Sequence, residues 1–324
     1  MNTIKPWGEK NKLTEEEKTY YENMFEGKYK ILEQIGMTGS KTSAYLLIDK
    51  NNNKYVLKIA NDKNDKEWID RQKETIENRD CLLDGYYGNV FIPRVILTGN
   101  NFIVEEYAGE DFTKDLYDSL DEIERKQVAL DIANFLNFIH QKNPVNEISP
   151  FTGFDKPTFE EIINYCNKDI SEKLKNHIDE LLLKYSSRDV SDEITTNVHS
   201  DIRYQNVLYN RDTKKISVID FELTRRKNIY YDFVPAAPAS FEMSYEFLSD
   251  IINDYNDLNK KIPIIIDIEK VKLLHKLGCF HEYGRCAVYR KTPSSQLKGI
   301  METVNNRLND IDNGFSNANS NIKT

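Results

Sequence analysis

The sequence predicts an α+β chain of two lobes, a small sheet-rich lobe followed by a mostly helical one. Three observations carry this expectation. The chain has 324 residues, more than the roughly 100–200 of one compact domain. β-Branched and aromatic runs crowd residues 28–109, broken by turn signals and one charged helical stretch. After Gly109 the pattern changes to apolar residues at helical spacing.

Each element has a local reason. Residues 13–26 read as a leading helix, with Thr14 and Glu17 at capping-box spacing. Strands follow at 28–36, 42–49 and 54–60, separated by GMTGS and KNNN. Residues 62–83 read as a charged helix marked by Trp68, Ile69, Ile76, Leu82 and Leu83. Residues 94–99 and 101–109 read as paired strands around a Gly-Asn turn, and 107–112 as the link between lobes. Residues 118–142 form an amphipathic helix whose apolar face is Val128, Ile132, Phe135, Leu136 and Ile139. More helix is expected at 157–185, strands at 206–210 and 215–221, then helices to about 311. Residues 313–324 are polar without period and are expected to fray. The expected division is an extension 1–24, a sheet lobe 25–108, a helical lobe 109–311 and a polar tail 312–324.

Composition narrows the function. Hydrophobic residues make up 39% and charged residues 30%, and 15 Phe with 19 Tyr supply core material, so a wholly disordered chain is excluded. The longest apolar stretches, such as 262–266, fall far short of the ~20 residues that span a bilayer. The N-terminus has no apolar signal region. A net charge of −9 makes a poor nucleic-acid binder and suits a cationic small molecule. Four cysteines in so long a chain are no disulfide framework. A cytoplasmic protein that engages neither nucleic acid nor membrane is expected.

The chemistry concentrates in VHSDIRYQNVLYNRDTKKISVIDFE, residues 198–222. It holds H-x-D-x4-N as His199, Asp201 and Asn206, then a strand, a turn and a strand ending in Ile219-Asp220-Phe221-Glu222. Two acidic groups and an amide brought together this way can hold one carboxylate at a hydroxyl. The other oxygens are then offered to a hard cation such as Mg²⁺.

This segment resembles the catalytic and metal-binding loops of the protein-kinase-like superfamily. It is most similar to the aminoglycoside phosphotransferase and choline kinase branch, where the second motif runs I-D-[FWY]-E rather than D-F-G. The resemblance implies a two-lobed protein-kinase-like fold that binds ATP, with GTP possible, and Mg²⁺. It implies that Asp201 orients the acceptor hydroxyl and takes its proton. Asn206 and Asp220 would hold Mg²⁺, Glu222 would support that site, and His199 would brace the loop. Ser200 stands where protein kinases have Arg. No A-P-E follows Asp220 at the distance of a protein-kinase activation segment.

The resemblance also assigns the upstream half. Lys58, at the end of YVLK, would contact phosphates, with Glu77 or Glu74 of the following helix as its partner and Glu67 a weaker choice. The loop from Gly36 to Ser43 would approach the phosphates with backbone N–H groups and the hydroxyls of Ser40 and Ser43. Glu106, Tyr107 and Ala108 would meet the base through backbone groups. Asp232 would be structural. His275, Cys279, His281 and Cys286 match no common zinc spacing and read as part of a core helix with Leu273, Leu274, Leu277 and Phe280. The acceptor pocket would draw on carboxylates among Glu160, Glu161, Asp169, Glu242, Glu246, Asp250 and Asp254.

The implied reaction is direct transfer of the terminal phosphoryl group to a small-molecule hydroxyl. Aminoglycoside antibiotics are the first acceptor class, which would make the chain a resistance enzyme. Choline, ethanolamine or sugars come second. A kinase-like effector acting on a protein, and a nucleotide-binding pseudokinase scaffold, complete the alternatives. The intact set of Lys58, Asp201, Asn206 and Asp220 argues against the scaffold.

Overall fold

The structure, a computed structural model, describes residues 13–35, 42–60, 66–142, 172, 175–176, 179–180, 183, 194–234, 243–259, 265–284 and 294–320. The chain divides into two compact units, residues 1–81 with 91–109 and residues 82–90 with 110–324. Residues 82–90 were expected in the sheet lobe. They join the second unit because Tyr86 packs on Phe135 and Phe138 and Asn89 Nδ2 donates to Asp131 at 3.0 Å.

The first unit is a five-stranded antiparallel sheet: β1 (Tyr29–Gln34), β2 (Thr42–Asp49), β3 (Lys54–Ala60), β4 (Val95–Thr98) and β5 (Phe102–Glu106). The strand order is β1-β2-β3-β5-β4. Strand alternation divides the side chains between two faces. Leu57 and Ile59 of β3 join Tyr45, Leu47, Phe102 and Val104 in one cluster, which Tyr21 and Phe25 also enter. Tyr21 belongs to helix α1 (Glu15–Met24), and Phe25 is its C-cap. The expected capping box starts that helix, with Glu17 N–H donating to Thr14 Oγ1 and Thr14 N–H to Glu17 Oε2. Ala60 and Ile103 lie in a second cluster, with Trp68 and Ile69 of helix α2 (Lys66–Leu83). Each large apolar side chain so buried contributes about 1.5–3 kcal/mol.

The second unit is mostly helical. Helix α3 (Lys114–Ser119) is capped by Thr113 and α4 (Glu122–Gln141) by an Asp121–Glu124 capping box. All five apolar positions expected on α4 are buried. Two small sheets adjoin: β6 (Glu110–Asp111), β8 (Val207–Asn210) and β9 (Lys215–Val218) in order β6-β8-β9, and β7 (Thr195–Val198) with β10 (Arg225–Asn228). Helices α5 (Tyr245–Leu258), α6 (Ile268–Gly284) and α7 (Ser294–Ser320) complete it. α4 packs on α5, and α7 packs on both α5 and α6. In α6, Leu273, Leu274, Leu277, Phe280, His275 and Cys279 are buried. His275 Nε2 donates to Phe233 O at 2.8 Å, and burial lowers its pKa to about 4. The side chains of His281 and Cys286 lie outside the described residues.

The polar tail is corrected. α7 runs to Ser320, and Val304, Ile311 and Phe315 are buried along it. Phe315 meets the Tyr245 ring at 5.6 Å, and Lys276 Nζ pairs with Asp312 at 2.6 Å. Gly314 makes this fit, since a Cβ there would come within 2.5 Å of Tyr245 Cβ.

One face of α5 carries a stability cost. Burial, and then the neighbouring Asp250 and Asp257, raise the Asp254 pKa from 3.8 to about 6. The folded state therefore holds this proton more tightly than the unfolded state. The resulting loss of stability is absent below pH 4, grows between pH 4 and 6, and is complete above. Asp254 is half-buried, so Asp254→Asn is expected to stabilise by about 1 kcal/mol at pH 7–8, after discounting for solvent screening. Denaturant unfolding at pH 7.5 and at pH 4 measures this; an equal gain at both would show that charge is not the cause.

Candidate active site

The hairpin β8–β9 builds the centre of the site. Val207 pairs with Val218, so Asn206, one step before, faces Ile219, one step after. Ile219 N–H donates to Asn206 O at 2.9 Å. The loop from His199 to Asn206 closes with Asn206 N–H on Arg203 O at 2.8 Å. His199 is buried, and its Nε2 stands 2.9 Å from Ile219 O. A carbonyl only accepts, so Nε2 carries the proton. The imidazole thus braces the residue before Asp220, its ring edge-on to Phe221 at 4.8 Å.

Asp201 and Asn206 are both buried. Asn206 Nδ2 donates to Asp201 Oδ2 at 2.7 Å and to Asp201 O at 2.9 Å. Both amide protons are used there, which leaves the Asn206 carbonyl oxygen as the group to offer a cation. Burial raises the Asp201 pKa. Arg203 and His199 oppose the rise, the Asp220 charge adds to it, and Asn206 opposes it. Arg203 Nε is 3.1 Å from Asp201 Oδ2, an ion pair whose N–H is not aligned for a hydrogen bond. Asp220 is exposed and takes the left-handed conformation, φ +63°, before a short 3-10 turn (Phe221–Leu223). The Asp220 carboxylate and the Asn206 amide oxygen are hard donors of the kind Mg²⁺ prefers, and Mg²⁺ commonly takes one or two carboxylates with substrate phosphates. The residues present therefore suit this ion. Among the described residues no three His, Cys, Asp or Glu side chains gather as a metal cage.

Asp232 holds the loop from behind. It ends a 3-10 turn (Ile229–Asp232). Its carboxylate accepts His199 N–H at 3.0 Å and Ser200 N–H at 2.6 Å. Ser200 is buried at φ +69°, a region that costs a residue with a Cβ about 1–2 kcal/mol. The two amide bonds hold that turn, and the turn presents Asp201.

The nucleotide-side candidates lie in the first unit. Lys58 pairs with Ile103 across β3–β5. Glu105, two residues on, shares that face, and its Oε1 meets Lys58 Nζ at 2.5 Å. Sequence reasoning looked for this carboxylate on α2, where Glu74 and Glu77 are exposed. Ser43 is not brought to Lys58. Ala44 is the residue paired with Lys58, so Ser43 points to the opposite face, where its hydroxyl bonds the Tyr45 phenol. Ser40 and residues 36–41 lie outside the described residues, as do Glu160, Glu161, Asp169 and Glu242. The Glu106 carboxylate is engaged by Arg94, with Nη2 at 2.5 Å, which lowers its pKa. Its N–H donates to Arg94 O, so its carbonyl is what remains for a base. Ala108 is buried. Sequence reasoning missed Glu105 and Arg203. A basic residue two places after Asp201 was the available signal for Arg203.

A five-stranded antiparallel unit with a strand lysine, and a helical unit with this loop and hairpin, define a kinase-like phosphotransferase. A sequence model of the phosphotransferase enzyme family, APH, matches residues 33–261. The chain belongs to that family and is a phosphotransferase with an alcohol group as acceptor. Among solved structures it is similar to the GDP complex of aminoglycoside 2'-phosphotransferase-IIIa, with TM-score 0.62, 17% identity, and 92% of this chain and 99% of that one covered. It is also similar to ADP-bound aminoglycoside phosphotransferase APH(2'')-Ib, with TM-score 0.56, 20% identity, and 92% and 98% covered. A third is an aminoglycoside phosphotransferase from Alicyclobacillus acidocaldarius, with TM-score 0.58, 12% identity, and 97% and 98% covered. At these identities the likeness is one of fold. No curated protein sequence matches the chain.

Proposed function

We propose that the chain moves the terminal phosphoryl group of ATP or GTP to a hydroxyl of a small cationic molecule, with an aminoglycoside as the first acceptor class. The observation that supports this best is the Asn206–Asp201 bond of 2.7 Å, made in a loop tied through Ile219 to Asp220. Asp201 would accept a hydrogen bond from the acceptor hydroxyl and take its proton as the oxygen attacks phosphorus. The bond from phosphorus to the leaving diphosphate oxygen breaks. Asn206 and Asp220 would hold Mg²⁺, which when bound neutralises phosphate charge. Lys58, oriented by Glu105, would contact the phosphates, and the Glu106 carbonyl and Ala108 would meet the base. Similar structures are complexes with ADP, with GDP, and with GDP and kanamycin. The net charge of −9 favours a cation. No helix among the described residues is long and apolar enough to cross a membrane, and a cytoplasmic site of action completes the reading.

The test is nucleotide consumption with Mg²⁺ and ATP or GTP, against aminoglycosides, choline, ethanolamine and simple sugars. Asp201→Ala is the blank. Turnover with aminoglycosides is the expected result. Turnover with choline or a sugar alone would replace the acceptor class. Silence throughout, with Mg-nucleotide binding intact, would move the acceptor to a protein or make the chain a scaffold.

A further inference from the structure

Strand β10 sets two cations beside the loop that carries Asp201, and no carboxylate neutralises them. Its register with β7 places Arg225 across from Val198 and Lys227 across from Thr196. Opposed residues share a face, and Val198 and Thr196 are fully buried. Arg225 and Lys227 therefore take the inner face of the strand, Arg225 exposed at its start and Lys227 half-buried. Lys227 Nζ stands 4.3 Å from the centre of the Tyr231 ring. We propose that Arg225 and Lys227 form a binding site for a free oxyanion of the phosphate or sulfate type, whose occupation favours a cationic acceptor at Asp201. Only the coupling to the acceptor rests on the reading of Asp201 given above; the site itself does not.

The unfavourable electrostatics of this arrangement point to a ligand. A cation drawn out of water needs a counter-charge or hydrogen-bonding partners, and like charges side by side on one face repel. The two carboxylates whose charges reach Lys227 are those of Asp232 and Asp201, and both are engaged elsewhere. Asp232 Oδ1 accepts Ser200 N–H, and its Oδ2 accepts His199 N–H and lies 2.8 Å from His140 Nε2. Asp201 Oδ2 accepts Asn206 Nδ2–H and pairs with Arg203 Nε. Neither Arg225 nor Lys227 forms an ion pair among the described residues. Burial accordingly lowers the Lys227 pKa and Arg225 adds to the fall, against the pull of Asp232 and Asp201. A further donor is left over nearby. The Ser200 hydroxyl, two residues beyond Val198, is buried without a hydrogen-bond partner. A tetrahedral oxyanion supplies what such groups lack, a negative charge and several acceptor oxygens.

The consequence for the acceptor is electrostatic. Arg203, Arg225 and Lys227 raise a positive field around Asp201 in a chain whose net charge is −9. That field repels a cationic acceptor, and an oxyanion on β10 cancels it.

Binding is tested first, without nucleotide, Mg²⁺ or acceptor. Inorganic phosphate is titrated with the full chain at constant ionic strength and followed by the width of its phosphorus NMR signal. Wild type is expected to broaden the signal saturably, and sulfate to reverse it. The double variant Arg225→Gln, Lys227→Met should lose most of the broadening. Arg225→Gln alone changes an exposed residue, should lose much of it, and carries the test if the double variant does not fold. Lys58→Ala should keep it. Activity comes second, with kanamycin as the first cationic acceptor. Exchanging chloride for sulfate at constant ionic strength should lower the acceptor KM about 3- to 10-fold, the effect of one charge brought close in a partly solvated site, with kcat within about twofold. The double variant should show the lower KM in chloride already and ignore sulfate.

No saturable broadening by wild type, or equal broadening by the double variant, would overturn the site. Loss of broadening in Lys58→Ala would place the phosphate on the nucleotide side and overturn it as well. Binding of the phosphorylated acceptor but not of free phosphate would make this a product site and overturn the free-ion proposal. Phosphate binding with no change in acceptor KM would overturn the coupling. Asp201→Ala separates this proposal from the proposed reaction. If that variant keeps full turnover, the role of Asp201 is wrong and the binding result stands by itself. If it is inactive while wild type binds no phosphate, only the oxyanion site is wrong.

Discussion

Replacing Asp201 with Asn is expected to lower kcat by about 10²–10⁴-fold, the range in which a positioned base contributes, while Mg-nucleotide affinity stays within a few-fold. The substitution keeps shape and an oxygen for the Asn206 Nδ2–H, which now reaches Asp201 Oδ2 at 2.7 Å, so the fold should persist. It removes the charge and the basicity. That basicity is built in, since burial raises the pKa of this carboxylate and the Asp220 charge adds to the rise against the pull of Arg203. A carboxylate made more basic takes a hydroxyl proton more readily near neutral pH. Steady-state kinetics with whichever acceptor the nucleotide-consumption test finds, with nucleotide titration of the same variant, checks both halves. Wild-type turnover in the Asn variant would remove Asp201 from the chemistry.

Phe315→Ala is expected to destabilise the protein by about 3–5 kcal/mol, the usual loss for a large aromatic in a packed core. The side chain is completely buried, beside Tyr245 on one side and the Lys272 ammonium on the other. Asn313→Ala, two residues earlier on the exposed face of the helix, should change stability by no more than about 0.5 kcal/mol. Chemical denaturation of the two variants decides the matter. If they unfold alike, the last turns of α7 are not part of the core.

This helix end shows why part of the fold was hidden in the sequence. Asn, Ser and Gly dominate residues 313–320, and their composition resembles a frayed terminus. The packing is carried by Val304, Ile311 and Phe315, spaced seven and four apart, which a reading by composition passes over. The strands β2 and β3 were legible as β-branched and aromatic runs bounded by turn signals, and the apolar face of α4 by its helical spacing. β10 was not, because Arg225-Arg226-Lys227-Asn228 has no apolar alternation and is a strand only through its pairing with Thr195–Val198. In the candidate site, Asp201, Asn206 and Asp220 stand out in the sequence because they share one segment, and the bond from Asn206 to Asp201 is local. Glu105 could not, since its place beside Lys58 depends on the register of β3 against β5. Ser43 misled for a related reason. Its small polar side chain suits a phosphate loop, but one step of strand alternation turns it away from Lys58.

The loop and hairpin have a consequence for how the protein acquires activity as it folds. The bonds that join His199, Asp201, Asn206 and Ile219 close stretches of 5 to 20 residues. Such closures cost little chain entropy and need no distant partner. The bonds from His140 to Asp232 and Tyr255 instead span 92 and 115 residues. The reactive groups can therefore gather early as a local unit, and they are locked only when the remote helices arrive. A chain halted before that last step would hold the right residues in the right order without a fixed catalytic turn.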